Sequence, residues 1–199
     1  MILIRAAAAT ALIAVFSACG SGGGPPSDRG GAQRYHGSFI VLESPDHGPA
    51  LCNSVRESLP PRCGGIPITG WDWTVVEGLQ RLDGTTWGRW HVTGTFDGAA
   101  FTLTEPPGAA EDQPDDRAGV GTGPTPGGAK LERRLTAIQD ELLTSHVRDV
   151  LGPVDYSYAD PQRGVLVVGV WLPDTAAQRF AKERWGDLVQ LRSLLKRVR

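Results

Sequence analysis

The side chains best suited to recognition lie between residues 46 and 90. Trp71, Trp73, Trp87 and Trp90 fall within twenty residues. An exposed indole stacks well on a sugar ring, but the same side chain is also the largest filler available to a small core. Core packing is the expected role for most of the four. Alternation along a strand through Trp87 and Trp90 sends them to opposite faces, so the four do not share one platform. Asp46 and His47 stand in the turn-rich stretch Ser44-Pro-Asp-His-Gly-Pro49. Such loops often carry binding groups, and they also simply reverse the chain. Asp46, His47, Trp71, Trp73 and Trp87 are therefore the candidate binding residues.

Catalytic patterns are weaker. Among His36, His47, His91 and His146 no pair has the spacing of a helical metal motif. A site built from His36, His47 and His91 with Asp72 or Glu77 requires the fold to gather them. No metal and no cofactor are expected. Ser193-Leu-Leu-Lys196 matches the SxxK nucleophile motif of penicillin-interacting enzymes, but their other motifs are missing and the chain is too short for that fold. The match is read as chance. Asp72 and Glu77 are carboxylates in a β region, with nothing to mark them as the paired acids of a glycoside-cleaving cleft. Glu111, Asp112, Asp115 and Asp116 read as a solvated charge run. No catalytic residue is assigned, and the expectation leans away from an enzyme.

The three cysteines carry more information. Met1–Ala18 has one positive charge, Arg5, then an apolar run from Ala6 to Phe16. That run is too short to span a bilayer and suits a signal peptide. Phe16-Ser-Ala-Cys19 resembles a bacterial lipobox, in which the cysteine becomes the lipid-bearing N-terminus. Phe16 stands where that pattern prefers Leu, and cleavage near Ala18 with plain secretion is the competing reading. Export favours a disulfide between Cys52 and Cys63. Lipid on Cys19 then accounts for the odd cysteine. Closing a loop of about a dozen residues contributes roughly 3 kcal/mol in the chain-entropy model.

These groups must be positioned by short elements. Residues 1–18 read as the signal and 19–34 as a glycine-rich flexible tether. Residues 35–105 read as a β domain, with strands over 36–43, 71–76, 87–96 and 99–104 and a two-residue turn at Asp97-Gly98. The economical architecture is a small bent sheet or an OB-like barrel, with the disulfide compensating for a thin core. Residues 106–130 form a Pro/Gly-rich linker. Residues 131–199 read as a small α-β-β-α-β domain. Its first helix carries a stripe of Leu131, Leu135, Ile138, Leu142 and then His146 or Val150. Val165–Trp171 is its central strand, a capping box at Thr175–Gln178 opens the second helix, and 188–191 is the last strand. The class is thus α+β. Arg192, Lys196, Arg197 and Arg199 read as a solvated basic tail.

The segments His47-Gly-Pro49, Pro60-Pro-x-Cys-Gly-Gly65, Gly70-Trp-Asp-Trp73, Thr85-Thr-Trp-Gly88 and Gly94-Thr-Phe-Asp-Gly98 resemble a recurrent stretch of uncharacterised exported lipoproteins of actinobacteria. Arg184-Trp-Gly186 is similar to the tail of the same proteins. The resemblance implies envelope location and no particular chemistry. A formal net charge of −2 gives no footprint for nucleic acid. The expectation is a lipid-anchored, non-enzymatic module on the outer face of the cell membrane, binding an envelope protein or glycan. A loop-built hydrolase or metal-dependent enzyme, and a structural spacer, are the alternatives.

Overall fold

The computed structural model describes residues 32–111 and 127–199. The signal segment, Cys19, most of the tether, and Asp112, Asp115 and Asp116 lie outside the described residues.

The first sheet grows from β1 (Arg34–Ser44), whose aromatic and branched residues suit a pleated, half-buried surface. The chain turns at Pro45-Asp46 into β2 (His47–Cys52) and later forms β3 (Ile66–Thr69). A short β4 (Gln80–Leu82) leads through Asp83-Gly84 into the long β5 (Thr85–Phe96). Then come β6 (Phe101–Leu103) and β7 (Gly108–Ala109). β1 pairs with β2 on one edge and with β5 on the other, which closes the ring β1-β2-β3-β6-β5-β1. β3 and β6 run parallel, and the other neighbours run antiparallel. The result is the expected α+β class, built around a closed five-stranded OB-like barrel. Phe39, Val41, Leu51, Val92 and Phe101 fill it, each 0% exposed. Burying each such side chain stabilises the fold by about 1.5–3 kcal/mol.

Cys52 ends β2 and is bonded to Cys63, with the Cα atoms 6.1 Å apart. The intervening loop is held further by an Arg56–Arg62 bridge, the Arg56 N–H donating to Arg62 O at 2.8 Å. The staple therefore joins the end of β2 to the entrance of β3. Those two strands lie inside what the turn residues made look like one loop.

Trp71–Val76 is not a strand. Gly70 takes φ +81°, and the Asp72 carboxylate accepts bonds from Thr74 N and Thr74 Oγ1, both at 2.8 Å. This side-chain turn competes with ladder pairing and wins. At Asp97-Gly98 the loop is four residues rather than two. Asp97 Oδ1 accepts from Ala99 N and Ala100 N at 2.9 and 2.7 Å, which delays β6 to Phe101.

The second sheet has the order β10-β9-β8. β8 (Val154–Asp160) pairs antiparallel with β9 (Val165–Val170), and β10 (Val189–Ser193) pairs parallel with β9. The predicted single helix is two, α1 (Gly128–Glu141) and α2 (Ser145–Leu151). Thr144 breaks it by donating its hydroxyl proton to Glu141 O at 2.7 Å while its backbone turns extended. The break moves the apolar stripe to Val147 and Leu151, and His146 is exposed. The crossover α3 (Thr175–Trp185) is capped by Asp174, whose side chain accepts from Ala177 N, and not by Thr175. These helices cover the Leu166, Val168 and Val170 side of β9.

Residues 32–199 form one compact unit. Trp171, Leu194 and Leu195 leave the second sheet and pack in the barrel core. Leu194 N and Leu195 N donate to Val170 O and Trp171 O at 2.9 and 3.1 Å. The chain then forms β11 (Lys196–Arg197), which pairs with the first part of β1. Lys196 and Arg197 therefore belong to a strand and not to a free tail, because β2 leaves that edge of β1 unpaired. Among the described residues no helix is long and apolar enough to cross a membrane.

Candidate functional site

The register places most candidate residues around the C-terminal end of β1. Asp46 and His47 are exposed at the β1–β2 turn, where His47 Nδ1 donates to Gly48 O at 2.8 Å and Asp46 N donates to Ser44 Oγ at 3.3 Å. The Asp83-Gly84 turn packs beside Pro45, so two turns meet at this end. Glu43, three residues before Asp46, lies opposite Thr86 in the ladder and accepts a hydrogen bond from the Trp73 indole.

Trp71, Trp73 and Trp90 form one aromatic group. Ring centroids lie 5.3 Å apart for Trp71–Trp73, 5.1 Å for Trp71–Trp90 and 5.7 Å for Trp73–Trp90, all tilted or edge-on. Edge-on packing suits the ring quadrupoles and leaves no flat stack. Trp90 is 5% exposed and donates to Glu77 O at 3.2 Å. Its indole lies over Gly88, where an added Cβ would overlap the ring. Trp71 and Trp73 are half-buried against this core, closing the barrel end that carries Glu43. The Trp71 Nε1 is buried without a hydrogen-bond partner among the described residues. Trp87 faces the other way, as alternation requires, half-buried and opposite Leu42 in the ladder.

The Asp72 carboxyl is held below its usual range, chiefly by the Thr74 backbone N–H and then by the Thr74 hydroxyl. It therefore remains a fixed anion beside Trp71 and Trp73.

The histidines are divided. His36 and His91 meet on the outside of the β1–β5 pair, with ring centroids 5.2 Å apart. His47 sits at the opposite end of β1. Among the described residues no group of three or more potential metal ligands is gathered. Sequence reasoning did not find the partners of His91. Ser38 Oγ lies 3.4 Å from its Nδ1, and a Glu111 carboxylate oxygen lies 3.7 Å from the same nitrogen. Both partners face one nitrogen, so they do not form the relay in which base and orienting group use opposite ring atoms. Ser38 is 1% exposed and accepts from Glu111 N at 2.9 Å. The cluster latches the 105–111 segment onto the barrel. Strand parity puts 36 with 38 on one face of β1 and 91 with 93 on one face of β5, but the register that joins the two pairs spans over fifty residues.

Ser193 is a structural hydroxyl, 2.7 Å from Leu195 O and 3.3 Å from Trp171 O. Its proton serves the turn into β11.

Comparison with protein-family models, with curated proteins and with solved structures returns no match.

Proposed function

We propose that the chain is a lipid-anchored binding module of the cell envelope, acting outside the membrane without catalysis. The observation that carries this reading is the Cys52–Cys63 bond. It suits an oxidising compartment and leaves Cys19, behind the apolar run of residues 6–16, as the unpaired cysteine of three. A barrel interior filled by Phe39, Val41, Leu51, Val92 and Phe101 favours a partner held on the outer surface. The end bearing Asp46, His47, Trp73 and Trp87 is the best candidate, because it combines exposed polar turns with half-buried indoles. An envelope protein or a glycan fits such a surface.

The test is site-specific photocrosslinking in the native envelope, with the probe at His47 and a control probe at Lys182 on α3. A partner captured at His47 but not at Lys182, and lost in Trp87→Ala, supports the module. Equal capture at both positions, or none at either, removes it.

A further inference from the structure

We propose that the basic edge carrying Lys196, Arg197 and Arg199 docks on anionic phospholipid headgroups and orients the barrel on the membrane. This rests on reading Cys19 as the acylated residue. β11 lies against the first residues of β1, with Tyr35 opposite Arg197 and His36 opposite Lys196. Val198 N donates to Arg34 O at 3.0 Å, and Gln33 Nε2 reaches Val198 O at 3.5 Å. The basic strand therefore lies beside the point where the chain arrives from Cys19. Thirteen residue steps separate Cys19 from Ala32, a span of at most about 45 Å when fully extended.

The charges on this edge are available. Lys196, Arg197 and Arg199 are exposed, and none of them forms an ion pair among the described residues. Arg34 is committed to Glu105 and is not counted. The opposite end of β1 is mainly acidic, with Glu43, Asp46, Asp72 and Asp83 around the two turns against Arg81 of β4. An anionic surface attracts one end of this molecule and repels the other. β1 spans up to about 33 Å at strand rise, several times the ~8 Å screening length at physiological salt. The docked molecule thus presents its Asp46–His47 turn away from the lipid. The anchor brings the edge within reach, and the edge sets the orientation.

The experiment uses the full mature chain carrying Cys19→Ser, so that no acyl chain contributes. It is sedimented with vesicles of phosphatidylcholine alone or mixed with phosphatidylglycerol. Binding is expected to the mixed vesicles at low salt and to fall steeply at high salt. Each removed charge lowers partition about fivefold, so K196Q/R197Q/R199Q lowers it about a hundredfold. A control, K130Q/R133Q/R134Q, removes the same charge from exposed positions of α1 and leaves partition close to the unsubstituted value. Equal losses in both triple variants, equal binding to both vesicles, or salt-independent binding by the unsubstituted chain each overturn the proposal. The salt series needs no substitution, so a folding defect in the β11 variant does not blunt the test. Intact mass of membrane-extracted protein tests the acyl group separately. Missing acyl mass removes the anchor, whereas the vesicle results bear on the edge alone.

Discussion

Phe39 of β1 and Trp171 at the end of β9 stack at an angle, with ring centroids 5.1 Å apart and planes tilted by 43°. One ring comes from the first strand of the barrel and the other from the residue that follows the central strand of the second sheet. Trp171 is 2% exposed and belongs to the barrel core, while its neighbour Val170 belongs to the core under the helices. The exit of β9 thus joins both cores, and the two are expected to unfold together.

Trp171→Ala removes the ring on which this coupling rests. Large-to-small substitution of a buried aromatic costs about 3–5 kcal/mol. Urea unfolding followed by far-UV and near-UV signals should give one coincident transition in the native sequence and an earlier one in the variant. Two separated transitions in the native sequence would contradict the shared core.

The staple is expected to matter on the scale of a large core substitution. Replacing Cys52 and Cys63 together by Ala should lower stability by about 3 kcal/mol in the chain-entropy model. Thiol titration of the exported, denatured protein should find no free thiol at either position, and two reactive thiols there would rule out the bond.

Gly88→Ala is a sharper local probe. The new methyl meets the Trp90 ring directly, and overpacking of this kind costs about 1–3 kcal/mol. Trp90 also touches Trp71 and Trp73, so tryptophan fluorescence should shift along with the unfolding midpoint. An unchanged spectrum and midpoint would place the indole elsewhere.

Two carboxyls should act oppositely on stability as pH changes. Burial pushes the Asp155 carboxyl up, partly offset by the bond that Asn53 Nδ2 donates to it at 3.0 Å. A raised folded-state value means that the contribution of Asp155 is fully present below the ordinary aspartate range and is lost as pH rises through the folded value. Asp155→Asn should therefore raise the melting temperature at neutral pH, with the gain shrinking toward about pH 4. Glu141 is held low, first by the Trp185 indole N–H at 2.8 Å and then by Arg184. Its contribution is present above the ordinary glutamate range and is lost as pH falls through the lowered value. Trp185→Phe should weaken the protein at neutral pH and flatten that acid limb. A melting series against pH for the two variants separates these signs.

The legible parts of this chain were those set by neighbouring residues. Alternation in 87–96 separated Trp87 from Trp90, the apolar run at 165–171 marked the central strand, and Asp160–Gly164 marked its hairpin turn. Four of the misread parts were those where a short side chain took over a backbone bond. Asp72 dissolved a strand, Asp97 lengthened a turn, Thr144 cut a helix and Asp174 moved a cap. Each is an Asp or Thr competing with regular pairing, and the balance depends on a few tenths to about 1 kcal/mol that periodicity does not register.

The sequence by itself determined the class of fold, the Cys52–Cys63 pair and the opposite faces of β5, because two-residue periodicity, turn chemistry and cysteine parity act over short distances along the chain. Only the tertiary structure decided that β1 closes on β5, that Glu43 meets Trp73, that His91 meets Ser38 and Glu111, and that Leu194, Leu195 and Trp171 fill the barrel. It also turned the basic end into a strand beside the start of β1. Those contacts join segments dozens of residues apart, and their register is chosen by which packing buries the most apolar surface, a property of the whole chain rather than of any stretch of it.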